Sequence, residues 1–159
     1  VYKRQAFSHS MEKEALRAAE KAVETLEGLK GYVGVDMILT DEEPVVIEIN
    51  PRLTTSYVGL RRVTNFNPAE TIIDATIKQK LPKNLQHRGY SFFSKVKVPL
   101  RRQIFTETYS LKNVVSPPFP IEDKKAYAII EVTSISPEDA EAAFYRTKEG
   151  LMKLYSRGD

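Results

Sequence analysis

Two apolar runs, Tyr32 to Leu39 and Val45 to Asn50, are separated by the polar segment Thr40-Asp41-Glu42-Glu43-Pro44. That arrangement predicts a β-hairpin with a longer loop. If Leu39 and Val45 close the loop as a cross-strand pair, Asp36 faces Glu48 and Gly34 faces Asn50. Alternate residues of a strand share a face. One side of the ribbon would then carry two carboxylates and an amide oxygen. Val33, Val35, Val45, Ile47 and Ile49 would point the other way, into a core.

The flanking sequence supplies helices. Ser10 can cap a helix whose first turn holds Glu12 and Glu14, where acidic groups suit the helix dipole. Leu16, Ala19, Val23, Leu26 and Leu29 recur at helical steps and predict an amphipathic helix of about five turns, ended by Gly28 or Gly31. Pro51 to Ser56 is irregular, and Tyr57 to Val63 is a short apolar stretch. Asn67-Pro68, with Glu70 in the first turn, starts a second helix. Ile72, Ile73 and Ile77 form its inward stripe and Leu81-Pro82 its stop.

Beyond Pro82 the pattern changes. Lys83 to Arg88 is linker-like, Tyr90 to Val98 and Ala126 to Thr133 alternate as strands, and Ser136-Pro137-Glu138-Asp139 opens a final helix. Pro99 to Pro120 has no clear element. The expected fold class is α+β, with one lobe over residues 6–82 and an accessory segment over 83–159 built from a two-stranded antiparallel ribbon and a helix. Residues 1–5, Val-Tyr-Lys-Arg-Gln, resemble a translated adapter, and the sequence lacks an initiator Met; both features suggest a fragment.

Composition narrows the function classes. No apolar run reaches the roughly 20 residues of a membrane span. A net charge of +3 without a basic stripe gives no support for nucleic-acid binding. With no cysteine in its 159 residues, the sequence has no disulfide, thiolate zinc site or cysteine nucleophile, which fits a cytoplasmic setting. His9 and His87 are far apart and read as surface residues.

The chemistry therefore concentrates on Asp36, Glu48, Asn50 and Arg52. Two adjacent carboxylates repel unless a cation lies between them. Hard oxygen donors on a ribbon suit Mg²⁺, which takes a few carboxylate contacts and completes its shell with phosphate oxygens and water. Gly34 opposite Asn50 would leave room for a ligand. Arg52 could set a guanidinium beside a phosphoryl or carboxylate group. Thr54, Thr55 and Ser56 could hold the same substrate, with Arg61 a further candidate. Plain solvation of an outward acidic face explains the same alternation without a metal.

Gly34-Val35-Asp36 followed by Val46-Ile47-Glu48-Ile49-Asn50-Pro51-Arg52 resembles the signature ending of the ATP-grasp superfamily. The resemblance covers about residues 31–80. It implies the C-terminal half of an ATP-grasp fold, an antiparallel sheet with flanking helices. It further implies that Asp36, Glu48 and Asn50 hold Mg²⁺, with Mn²⁺ as an alternative ion. Arg52 would then contact the ATP phosphates or an acyl phosphate. The continuation Leu53 to Arg61 is similar to the ATP-grasp ligases of methanofuran biosynthesis, which join tyramine to glutamate. The implied activity is ATP-dependent joining of a small carboxylate to an amine.

No glycine-rich phosphate cradle is present. The family's adenine- and phosphate-binding lobe would precede this chain, and the fragment alone is expected to be inactive. The rival readings are another ATP-grasp ligase, a carboxylase-like enzyme, or a non-catalytic α+β binding module. A second copy of the chain is a candidate partner for residues 83–159.

Overall fold

A computed structural model describes residues 11–81, 84, 86–122 and 124–156. These fall into two compact units, one ending at His87 and the other beginning at Arg88.

In the first unit, helix α1 (Glu12–Glu24) is followed by the antiparallel strands β1 (Gly34–Leu39) and β2 (Pro44–Asn50). Helices α2 (Ser56–Val63) and α3 (Pro68–Ile77) come next. α1 lies against the hairpin, chiefly along β2. It is shorter than its leucine spacing predicts, ending before Gly28 and Gly31, which both sit at φ 80° in the loop that follows. Of the expected stripe, Ala19, Val23 and Leu29 are half-buried but Leu16 and Leu26 are not. Ala15 is buried and Ala18, Ala19, Ala22 and Val23 are half-buried, whereas Leu16 and Leu26 are 60% and 45% exposed. Small side chains let a helix approach a sheet closely, and here that alanine face outcompetes the leucine stripe. Ser10, the expected cap, lies outside the described residues, as does Pro82.

The start of α3 follows its sequence signal, because the Asn67 side chain accepts from the Ala69 amide at 3.1 Å. The helix stops at Ile77, earlier than Leu81-Pro82 suggests, and Ile73 and Ile77 are exposed. The short stretch before it is helical, forming α2.

The second unit holds a three-stranded antiparallel sheet with β5 (Lys125–Ser134) between β3 (Tyr90–Pro99) and β4 (Phe119–Glu122). The expected two-stranded ribbon therefore gains a third strand. Residues 113–116 continue the β4 edge: the Val115 amide donates to Ile129 O at 2.9 Å and the Glu131 amide to Asn113 O at 2.9 Å. Pro117 and Pro118 interrupt that edge because they have no N–H to give a ladder, which conceals the strand in the sequence. A short 3₁₀ segment and α4 (Phe105–Ser110) precede it. α5 (Pro137–Ser156) packs on β3 and β5. Its first turn is capped by Ser136, whose hydroxyl accepts from the Asp139 amide at 3.1 Å.

Among the described residues the buried apolar cluster belongs to this second unit: Phe92, Val96, Val98, Ala128, Ile130, Phe144 and Leu151 are among its members. No described helix is long and apolar enough to cross a membrane.

Candidate metal and phosphate site on the hairpin

The hairpin pairs Asp36 with Glu48, Val35 with Ile49 and Gly34 with Asn50, the register expected from the sequence. The loop end differs. Leu39 pairs with Pro44, not Val45, and the register shifts between Asp36 and Met37. Ile47 is the extra residue of this β-bulge, since Met37 pairs with Val46 while Asp36 pairs with Glu48.

The bulge inverts the expected faces at the loop end. Val35, Met37, Leu39, Val46 and Ile49 are half-buried on one side. Val45 and Ile47, read from the sequence as core, are 40% and 58% exposed. Ile38, paired with Val45, is 57% exposed on the same side as the carboxylates. The acidic face therefore continues into an apolar step.

Cross-strand partners on one face have Cβ atoms about 5 Å apart, so the Asp36 and Glu48 carboxylates can reach one cation. Both are exposed, and among the described residues neither has a cationic partner. Asn50 is 5% exposed, and its Nδ2 donates to Asp36 Oδ2 at 3.4 Å. That bond orients the amide and leaves its oxygen as the donor for a ligand. Among the described residues no group of three or more His, Cys, Asp and Glu side chains forms a metal site. The hairpin set consists of two carboxylates and an amide. Two uncompensated carboxylates beside a fixed amide match the donor chemistry of a hard divalent cation.

Asn50-Pro51-Arg52 makes a tight turn in which the Arg52 amide donates to Asn50 O at 2.8 Å. Proline's fixed φ suits the middle of such a three-residue turn. Arg52 is exposed, and its Nη1 donates to Leu53 O at 3.3 Å. The turn keeps its guanidinium stem immediately beyond Asn50.

The chain then folds back over the strand. Thr54 fills the space above Gly34, which the sequence assigns to a ligand: a Cβ at Gly34 would stand 2.5 Å from Thr54 Cγ2. The Tyr32 hydroxyl lies 2.9 Å from Ser56 Oγ and 3.3 Å from Thr54 Oγ1, and those two hydroxyls bond each other. Tyr32 carries no motif signal; its position two residues before Gly34 is the only hint in the sequence. Thr55 occupies the cap position of α2 and makes no side-chain cap bond. Arg61 is exposed in the last turn of α2, and among the described residues nothing ties it to the hairpin. His87 forms a backbone bridge with Thr64, and His9 lies outside the described residues.

Comparisons with known proteins bear on the fold and the sequence as a whole. Residues 3–56 match a sequence family described as an ATP-grasp domain. N5-carboxyaminoimidazole synthase from Aspergillus clavatus, in complex with ADP and its ribonucleotide, superposes with a TM-score of 0.66 at 20% identity, covering 95% of this chain and 42% of that one. N5-carboxyaminoimidazole ribonucleotide synthetase from Thermotoga maritima gives a TM-score of 0.63 at 20% identity, covering 91% and 42%. The family match covers about a third of the chain, and the two superpositions are likenesses of fold: the chain carries part of the architecture of these synthetases.

In sequence it is similar to tyramine–L-glutamate ligase. The Methanocaldococcus jannaschii protein is 40% identical over 74 residues, 46% of this chain and 23% of that protein. The Methanocaldococcus fervens protein is 39% identical over 83 residues, 52% and 28%. The chain thus spans about a quarter of the length of these relatives.

Proposed function

We propose that the intact protein is an ATP-dependent carboxylate–amine ligase, with L-glutamate as the acid and tyramine as the amine, as in methanofuran biosynthesis. The observation that carries this reading is the pairing of Asp36 with Glu48 beside a buried Asn50, in a chain similar to tyramine–L-glutamate ligase.

Asp36 and Glu48, on opposite strands, would hold Mg²⁺ (or Mn²⁺), with the Asn50 oxygen as a third protein donor. Held there, the ion would supply positive charge to the ATP phosphates. Arg52, carried on the turn after Asn50, faces the negative charge that builds on the transferring phosphoryl group. The γ-phosphoryl passes to the substrate carboxylate, giving ADP and an acyl phosphate; the amine nitrogen then displaces phosphate and loses a proton, giving the amide.

The rest of the polypeptide supplies the other lobe. Two findings support this: the chain spans a quarter of its relatives, and the first unit leaves Leu16, Ile38, Ile47, Leu53, Ile73 and Ile77 more than half exposed. Apolar side chains of this kind are what a second lobe would cover. ATP dependence suits a cytoplasmic enzyme.

The test is product formation by the intact protein with Mg·ATP, L-glutamate and tyramine. The expected result is an amide of the two, found by mass spectrometry, with one ADP and one phosphate released per amide. ATP consumption that needs neither acid nor amine, or none at all, would overturn the assignment.

A further inference from the structure

Tyr32 is held from three sides. Behind it, Gly31 sits at φ 80° so close to α3 that a Cβ there would meet Thr76 Oγ1 at 2.6 Å. Its ring meets that of Tyr57 edge-on, with centroids 6.3 Å apart and planes at 73°. Its hydroxyl reaches both Ser56 Oγ and Thr54 Oγ1, at 2.9 and 3.3 Å. Thr54 in turn covers Gly34, which pairs with Asn50. The contacts therefore run unbroken from Tyr32, through the loop after Arg52, to the strand that carries Asp36.

The three hydroxyls form a closed, half-buried triangle. Each hydroxyl has one proton to donate and lone pairs to accept, so three can satisfy one another in a cycle. Any one of them can also turn its proton outwards while still accepting from a neighbour. An arrangement of this kind binds an oxyanion without leaving a buried donor unpaired when the site is empty. It is neutral, so it suits a carboxylate already balanced by nearby cationic groups more than it suits a polyphosphate.

We infer that Tyr32 is a positioning residue for the carboxylate substrate, holding the Thr54 and Ser56 hydroxyls beside the metal hairpin. The inference rests on the ligase reading above and adds the element that sets acid affinity. Tyr32 acts through its hydroxyl; the ring alone supplies the contact with Tyr57.

The experiment is initial-rate kinetics on the intact protein, with L-glutamate as the acid probe and tyramine as the amine. Tyr32→Phe keeps the ring and removes the oxygen. KM for the acid is expected to rise roughly three- to tenfold, the worth of about one hydrogen bond. Neither kcat nor KM for Mg·ATP should move more than about twofold, and Mn²⁺ affinity measured by proton relaxation should hold within the same limit. Thr54→Val, which keeps a methyl over Gly34, should give the same profile. Tyr32→Phe combined with Ser56→Ala should cost less than the product of the two single effects, since both act on one network.

Equal losses in acid and Mg·ATP affinity would overturn the assignment, as would multiplying effects in the double variant or no change in any constant. A wild-type protein that consumes no ATP with L-glutamate defeats the ligase reading itself. An active wild type with an indifferent Tyr32→Phe defeats only the role of Tyr32.

Discussion

Gly34→Ala is the perturbation whose cost follows most directly from the geometry. Gly34 lies within β1, and its backbone is not in the left-handed region, so alanine meets no conformational penalty there. The obstacle is Thr54. The new methyl would stand 2.5 Å from Thr54 Cγ2, 3.3 Å from Oγ1 and 3.5 Å from Cβ. Carbon atoms in contact normally sit about 3.5–4.0 Å apart, so only Cγ2 is seriously overlapped, by about 1 Å. Thr54 can rotate about χ1, which takes its hydroxyl away from Tyr32 and Ser56 and breaks up to two hydrogen bonds, each worth roughly 0.5–1.5 kcal/mol. Alternatively the loop lifts from the strand, at the roughly 1–3 kcal/mol typical of overpacking. Both routes predict a loss of about 1–3 kcal/mol, read as a lower urea midpoint for the intact protein. Adding Thr54→Ser removes Cγ2 and keeps the hydroxyl, so the double variant should recover at least about half of that loss. A Gly34→Ala loss below about 0.5 kcal/mol, or no recovery with Thr54→Ser, would show that Thr54 does not sit over Gly34.

Gly89→Ala should be harsher and beyond rescue by a side-chain change. Gly89 has φ +73°, and its Cβ would meet the Ser134 carbonyl oxygen, a backbone atom, at 2.5 Å; the urea midpoint should fall further than for Gly34→Ala, and an equal or smaller fall would refute the distinction. Leu151 is fully buried in the second unit, so Leu151→Ala should cost about 2–5 kcal/mol, and a loss under about 1 kcal/mol would contradict that core. The Lys78 ammonium is hydrogen-bonded to Asp74 at 2.7 Å, and that bond, with the carboxylate's charge, raises its pKa above the ordinary value. Its small stabilising effect is present below the unfolded lysine pKa and is lost as pH rises through the folded one. Asp74→Asn should return the Lys78 pKa, followed by NMR, towards the ordinary lysine range.

What the sequence conveys depends on the range of the interaction. Asn67 and Ser136 announce their helices because a cap is made within three residues. The pairing of Asp36 with Glu48 is legible because it follows from strand alternation and a short loop. Its derivation still misplaces the loop end, since Leu39 pairs with Pro44 and the bulge at Ile47 restores the register before the acidic pair. The same bulge turns Val45 outwards, which no periodic pattern anticipates. α1 shows a different limit: leucines at helical spacing identify the helix, but the face it turns to β2 is centred on Ala15, with Leu16 and Leu26 left exposed. β4 is hidden by Pro117-Pro118, and the Tyr32 triangle by distance along the chain. Tyr32 and Thr54 are 22 residues apart and belong to no common motif.

The acidic hairpin is also where the fold and the proposed chemistry meet, and its meaning turns on whether Asp36, Glu48 and Asn50 serve one ion. Calorimetric titration of Mg²⁺ with a non-hydrolysable ATP analogue into the intact protein addresses this directly. Glu48→Gln removes a carboxylate charge and Asn50→Ala an amide donor, and each should weaken nucleotide binding by about tenfold or more, the equivalent of roughly 1.4 kcal/mol. Affinity equal to wild type in both variants would mean that these side chains are only a solvated face.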